Sequence, residues 1–168
     1  MPSRAVGVLT RFESLLLGFC RVCALIGVAI LIACASLTVA DVLLRRISGE
    51  AIPGMVDMTQ LMVMTGVFLC VPFVFEQRAN VEVELVYDRL PGVVQRSLSR
   101  LWLLVAVFFL LAIAWYVGIA ASQVLEYGDR SPTVAIPMIW YWAPILFGTI
   151  VSAVVCVLQL VRSLAGAR

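Results

Sequence analysis

Four long runs of apolar residues fill most of this chain: Val22–Ala40, Met55–Phe75, Leu101–Ser122 and Met138–Val161. A helix needs about 20 apolar residues to cross the hydrocarbon of a bilayer. Only helices and closed barrels satisfy every backbone group there. Barrel strands alternate apolar and polar residues over ~10 positions, whereas these runs are continuously apolar. The pattern therefore predicts an all-α integral membrane protein with four transmembrane helices. They span about 22–44, 55–75, 101–122 and 138–161, in a single membrane domain over 1–168.

The segments between the runs carry weaker signals. In residues 1–21, Val8, Phe12, Leu15 and Phe19 recur at 4-3-4 spacing. That suits a short amphipathic helix on the membrane surface; an extension of span one is the equal alternative. Thr38-Val39-Ala40 resembles a cleavage site, but the apolar run before it is longer and begins later than a secretory signal allows. An uncleaved first span is expected. In 76–100, Glu76–Asn80 is a polar break, and Val81–Leu85 alternates with no second strand to pair with, which predicts an irregular segment. Leu90-Pro91 then opens a helical turn. Val93, Val94, Leu98 and Leu101 share one face there with Arg96 and Arg100 opposite, predicting a surface-lying segment before span three. In 123–137, Pro132 and Pro137 forbid a continuous helix, and Asp129 and Arg130 are a candidate pair. Pro144 predicts a bend in span four.

Charges and small residues mark candidate contact faces. Asp41 and Arg45 are four apart and share a helix face. Gly27, Leu31, Cys34, Thr38, Asp41 and Arg45 continue that face as one stripe. Ionisable groups within spans face protein or water rather than lipid, so the stripe predicts a helix contact; a headgroup-level Asp41 is the alternative. Asp57 follows the turn Pro53-Gly54 and is a candidate partner for Arg45 or Arg46. Ala114, Gly118 and Ser122 in span three, and Gly148, Ser152 and Cys156 in span four, have the four-residue step that lets helix backbones approach closely.

Composition excludes whole classes of chemistry. The chain is 63% hydrophobic and 13% charged, with mean hydropathy +1.08. All 12 basic residues are Arg, and there is no His. Haem ligation by His, Ser-His-Asp or Cys-His catalysis and Lys nucleophiles are therefore ruled out. The five Cys lie in or beside apolar runs, where free Cys acts as a small hydrophobe; neither a disulfide framework nor a metal site is expected. Nine Arg fall on the side holding both termini and three on the other. Basic residues are retained in the cytoplasm, so both termini are expected inside (N-in, C-in). Trp102, Trp140, Tyr141 and Trp142 at span ends agree with headgroup-level belts. No basic cluster with interleaved aromatics points to nucleic acid.

The centres of spans two, three and four carry no charge, no span is split by paired Gly/Pro breaks, and no internal repeat is evident. Carriers usually place ionisable groups at mid-membrane depth. The chain therefore reads as non-catalytic scaffold, with no cofactor. A stand-alone small multidrug-type exporter and a membrane thiol/quinone oxidoreductase are the alternatives. The first lacks its mid-span acid, the second its externally placed Cys pairs.

The order of features resembles the small membrane subunit (DctQ-like) of tripartite ATP-independent periplasmic (TRAP) transporters over residues 20–162. Asp41-Val42-Leu43-Leu44-Arg45 is similar to the family's ending of span one. Pro53–Leu61 follows, with Asp57 where the family usually has Glu. Arg78-Ala79-Asn80-Val81-Glu82-Val83-Glu84-Leu85 with Leu90-Pro91 is the third piece, Ala79-Asn80 departing from the usual turn. Ser131-Pro132, Ile136-Pro137, Trp140-Tyr141 and Pro144 are the fourth. The resemblance implies a structural subunit in the inner membrane of a bacterium or archaeon, complexed with a large, elevator-like permease subunit. A periplasmic solute-binding protein would deliver a carboxylate-containing solute, and a sodium gradient would drive uptake. Asp41, Arg45, Arg46, Asp57, Arg78, Gly118, Arg130 and Gly148 are the candidate structural and interface residues, with membrane lipids as further partners.

Overall fold

The computed structural model describes residues 3–50, 52–77 and 92–165. It is all-helical: α1 Ser3–Ser48, α2 Met55–Glu76, α3 Gly92–Tyr127 and α4 Ile139–Ala165. All four contain windows long and apolar enough to cross a membrane. Arg78, the strand-like Val81–Leu85 and Leu90-Pro91 lie outside the described residues.

Two helices are longer than their apolar runs predict. At about 1.5 Å per residue, the 46 residues of α1 extend about 69 Å. Residues 3–21 continue span one without a break, so no turn separates a surface helix from it. The 36 residues of α3 likewise run unbroken from Gly92. The segment expected to lie flat before span three is instead the first turns of that same helix. Nothing between Gly92 and Leu101 breaks helical φ/ψ, and amphipathicity alone does not bend a helix. At the other end α3 runs past Ser122 to Tyr127 and stops at Gly128, whose φ is +67°. Gly128 N–H donates to Val124 O at 3.1 Å, the expected glycine terminator.

The helices form a row rather than a closed square. The principal pairings are α1 with α2, α2 with α4, and α4 with α3. Paired levels give the directions. Gly27 lies against Gly66, and Cys70 Sγ approaches Ala24 O at 3.6 Å, so α1 and α2 are antiparallel. Asp57 meets Tyr141 while Gln159 meets Phe75, so α2 and α4 are parallel. The start of α1 and the end of α4 thus lie at one end of the row, and residues 49–50, 52–54 and 128–138 lie at the other.

Burial follows this order. The covered residues of α1 are Cys20, Cys23, Ala24, Gly27, Cys34 and Asp41, a single stripe at helical spacing. Leu37, half-buried, takes the place on that stripe that the spacing assigns to Thr38, which is exposed. Central α4 is covered on two sides by Tyr141, Gly148, Thr149, Ser152, Ala153, Val155 and Cys156. A small core joins three helices: Leu110 of α3 and Ala153 and Cys156 of α4, with Phe75, Ala106 and Val107 against them. Phe19 of α1 also reaches Phe147 of α4, edge to face, with ring centroids 6.1 Å apart.

Hydroxyls inside the spans are satisfied locally. Thr59, Thr149 and Ser152 each donate to the carbonyl four residues earlier at 2.7 Å. This removes the cost of a free O–H in hydrocarbon and lets polar residues pack as small ones.

Candidate functional site

The polar chemistry of the described residues gathers at the two ends of the row. At the loop end two carboxylates do the work, each holding a different loop. Asp41, near the end of α1, is buried. Its Oδ2 accepts from Arg45 Nη2 at 2.9 Å and its Oδ1 accepts from Ile52 N–H at 2.8 Å. One oxygen thus takes the helix neighbour and the other returns the 49–54 loop onto the helix it just left.

Asp57 is only 2% exposed. The turn Ser131-Pro132-Thr133-Val134 folds over the start of α2 and surrounds its carboxylate with donors. Ser131 Oγ–H donates to Oδ2. Val134 N–H donates to the same oxygen at 2.9 Å and Thr133 N–H at 3.1 Å. Thr133 Oγ1 reaches Oδ1 at 3.4 Å. Tyr141 adds a tie to the backbone, its phenol donating to Asp57 O at 3.1 Å. Successive backbone N–H groups of a turn form a concave anion-binding nest; here the anion is the chain's own.

The turn has a defined shape. Ser131 N–H donates to Ile136 O at 2.9 Å, and Met138 N–H to Asp129 O at 2.9 Å. An isolated antiparallel bridge joins Arg130 to Pro137. Ala135 takes φ +57°, a left-handed conformation unusual for a residue with a Cβ. Gly54, at φ +77°, caps α2 directly beneath. A Cβ there would lie 2.0 Å from Val134 Cγ2, so a side chain would have to displace Val134 as well as strain the backbone.

The expected pairing of Asp57 with Arg45 or Arg46 does not occur. Arg45 is taken by Asp41 one turn back on its own helix, and the turn's donors close over Asp57 first. Arg46 and Arg130 are exposed on the loop surface. Asp129 and Arg130 make no ion pair with each other among the described residues.

The termini end is tied by two side chains. Gln159 Nε2 donates to Phe75 O at 2.9 Å and Glu76 O at 3.3 Å, supplying donors to the terminal carbonyls of α2 that helix geometry leaves free. Arg100 of α3 donates to Ser163 O at 2.8 Å and to Ser163 Oγ at 3.2 Å. Each neighbouring pair in the row is thus held by polar contacts near the membrane surfaces and by small residues between.

Two glycine crossings set the spacing. A Cβ on Gly27 would lie 2.6 Å from Gly66 O, and one on Gly66 would lie 2.7 Å from Leu31 Cγ. At Gly148 a Cβ would lie 2.2 Å from Phe68 O. That carbonyl is the one that buried Pro72 deprives of its helical N–H donor, and it rests on the Gly148 backbone instead. Gly118 differs: among the described residues, nothing outside its own stretch of helix lies within 4 Å of its Cβ position.

Sequence reasoning named Asp41, Asp57, Gly27 and Gly148. It gave no role to Gly66, Thr133 or Gln159, and placed Ser131 and Tyr141 only in a motif and an aromatic belt. Gln159 had a legible signal, a lone amide in an apolar run. Thr133 had none, because its role comes from a fold-back across more than 70 residues.

Among known families, the model for the DctQ component of tripartite ATP-independent periplasmic transporters matches residues 34–166. No curated protein matches the chain.

Proposed function

The chain belongs to the DctQ-component family of tripartite ATP-independent periplasmic transporters, and from that premise we propose that it braces a large permease subunit for sodium-driven uptake of a carboxylate-containing solute. The family is a transporter component rather than an enzyme family, and its members are multi-pass inner-membrane proteins. Their complexes combine a small permease subunit with a large permease and a periplasmic binding protein.

The observation that carries the bracing role is how the buried carboxylates are used. Asp41 and Asp57 are both committed to the chain's own loops. A carrier needs ionisable groups free to meet its cargo within the membrane; these two hold helices at fixed positions. A row whose central pair, α2 and α4, is tied at both ends and closely crossed between is a stiff slab. Such a slab suits the stationary part of a transporter whose other subunit moves. Solute selection and ion coupling then reside in the large subunit and the binding protein.

Orientation follows from the arginine distribution, with both termini and the 76–100 connection cytoplasmic and the Asp41 and Asp57 loops periplasmic. Reporter fusions at residue 168 and in the 128–130 loop read this directly: the first should be active only as a cytoplasmic reporter, the second only as a periplasmic one.

The functional test is reconstitution. Proteoliposomes holding this chain with its large subunit, given the binding protein, a carboxylate solute and an inward sodium gradient, should accumulate solute. Omitting the chain should abolish uptake, and the chain alone should transport nothing. Uptake by the chain alone would overturn the proposal.

A further inference from the structure

We propose that Arg21 of α1 binds the phosphate of a phospholipid in the leaflet nearer the start of α1, with preference for an anionic headgroup, and that the acyl chains lie along Leu25, Val28 and Ile32. The inference goes beyond the bracing role and does not depend on it. A lipid held there fixes the depth of one edge of the row.

The first observation is depth. Cys34 Sγ approaches Thr59 O at 3.9 Å, Gly27 lies against Gly66, and Cys70 Sγ approaches Ala24 O at 3.6 Å. That antiparallel register, continued toward the start of α1, sets Arg21 level with Pro72 and Phe73 of α2. The apolar sequence of α2 ends at Phe75, and Glu76 follows. Arg21 thus lies three to four residues deeper than Glu76, about 5 Å at 1.5 Å per residue. Long basic side chains cross such distances by snorkelling to the headgroup layer. Cα–Cβ bonds tilt toward a helix's own N-terminus, so the side chain of Arg21 sets out toward the nearer surface.

The second observation is what surrounds it. Arg21 is exposed and makes no ion pair or hydrogen bond among the described residues. Gly18, one turn nearer the surface, has nothing outside its own stretch of helix within 4 Å of its Cβ position among those residues. That leaves room for a headgroup beside the guanidinium. Leu25, Val28 and Ile32 follow Arg21 at 4-3-4 spacing toward the membrane centre, and all are exposed. This face is turned away from Cys23, Gly27, Cys34 and Asp41, the stripe that packs on α2. Ser36, farther along it, already donates its hydroxyl to Ile32 O at 2.9 Å. The strip therefore presents one cation near the surface and, beyond it, hydrocarbon with its one hydroxyl satisfied.

That pattern complements a phospholipid. A guanidinium offers parallel N–H donors to a phosphate in a charge-assisted pair, and the aliphatic strip matches acyl chains. A protein helix on this face would have to bring a carboxylate to Arg21 and seal both charges from water, where desolvation offsets much of their attraction. A lipid phosphate meets the arginine at the wet edge of the bilayer without that cost. Charge decides among lipids. An anionic headgroup keeps the phosphate charge for Arg21, whereas a choline headgroup cancels it.

The test places a photoreactive benzoylphenylalanine at Leu25 of the full-length chain. In native membranes, with the large subunit co-expressed, the adduct should be phospholipid by mass; an adduct with the large subunit or with a second copy would overturn the proposal. In nanodiscs holding phosphatidylglycerol and phosphatidylcholine in equal parts, phosphatidylglycerol adducts should exceed phosphatidylcholine adducts about fivefold, the weight of one basic residue at an anionic surface. Arg21→Gln should abolish that preference and Arg21→Lys should keep most of it. Equal labelling by the two lipids, or a preference that survives Arg21→Gln, would overturn the site. So would loss of the preference on adding inorganic phosphate in excess, because the arginine would then be taking a free anion. The thermal midpoint of Arg21→Gln should match the parent chain; a drop would mean that protein rather than lipid holds the guanidinium. The uptake assay of the bracing role is separate from all of these results.

Discussion

Adding one methyl group at Gly148 tests the geometry on which the row depends. An alanine Cβ there would stand 2.2 Å from Phe68 O, whereas ordinary contact begins near 3.4 Å. Helices α2 and α4 must therefore part by about 1.2 Å at this level. The obstacle is backbone, so no side chain can rotate away. A gap of ~0.5–1 Å forfeits a quarter to a half of each van der Waals contact, itself worth about 0.1–0.2 kcal/mol. Over the tens of atom pairs in a helix crossing this comes to about 1–3 kcal/mol, the range seen for overpacked cores. Alanine also raises helix propensity by up to ~1 kcal/mol relative to glycine, which confuses any single measurement. Gly118→Ala supplies the control: it gains the same propensity and meets nothing within 4 Å. The two variants, purified and unfolded thermally in the same detergent or nanodisc, should differ by about 1–3 kcal/mol with Gly148→Ala the less stable. At roughly 2–4 °C per kcal/mol for a chain of this size, that is a separation of several degrees. If Gly148→Ala melts at or above Gly118→Ala, the α2–α4 crossing is not as close as described and the slab argument weakens with it.

Four further predictions follow from the ties at the two ends. Asp57→Asn keeps the size but removes the charge: its amide oxygen takes the Oδ2 position, and the three bonds there become neutral ones of roughly half the strength. Amide hydrogen exchange at Thr133 and Val134 should accelerate roughly tenfold or more, and unchanged exchange would show that the turn holds without the carboxylate. Arg45→Ala should cost under about 1 kcal/mol in thermal stability, because the Arg45 side chain is 61% exposed and exposed pairs contribute little; a large loss would mean the pair is shielded. Gln159→Leu removes the side-chain donor to the Phe75 and Glu76 carbonyls and should destabilise by about 1 kcal/mol or more, read as a lower melting temperature; an unchanged melting temperature would defeat the capping role. Ala135→Gly relieves a left-handed alanine and should raise stability by up to about 1 kcal/mol, unless the loop relaxes on its own, in which case the melting curve will not move.

Much of the architecture was legible along the chain because lipid imposes a one-dimensional rule. Every backbone group must be paired within its own segment, so uninterrupted apolar length fixes helix number and position. That rule produced the four spans, and the order of motifs about Asp41, Pro53, Arg78 and Ser131-Pro132 matched the family whose model covers residues 34–166. The same rule is silent about neighbours. Leu is as apolar as a lipid tail, so composition does not say which face of a span meets another helix. Only the folded chain decided that α1, α2, α4 and α3 stand in a row, that Gly148 is closely covered and Gly118 is not, and that Asp57 is held by a turn more than 70 residues away rather than by a nearby arginine. Those outcomes depend on distances between segments remote in sequence. Local spacing carries the period of a helix, but not the identity of what lies across from it.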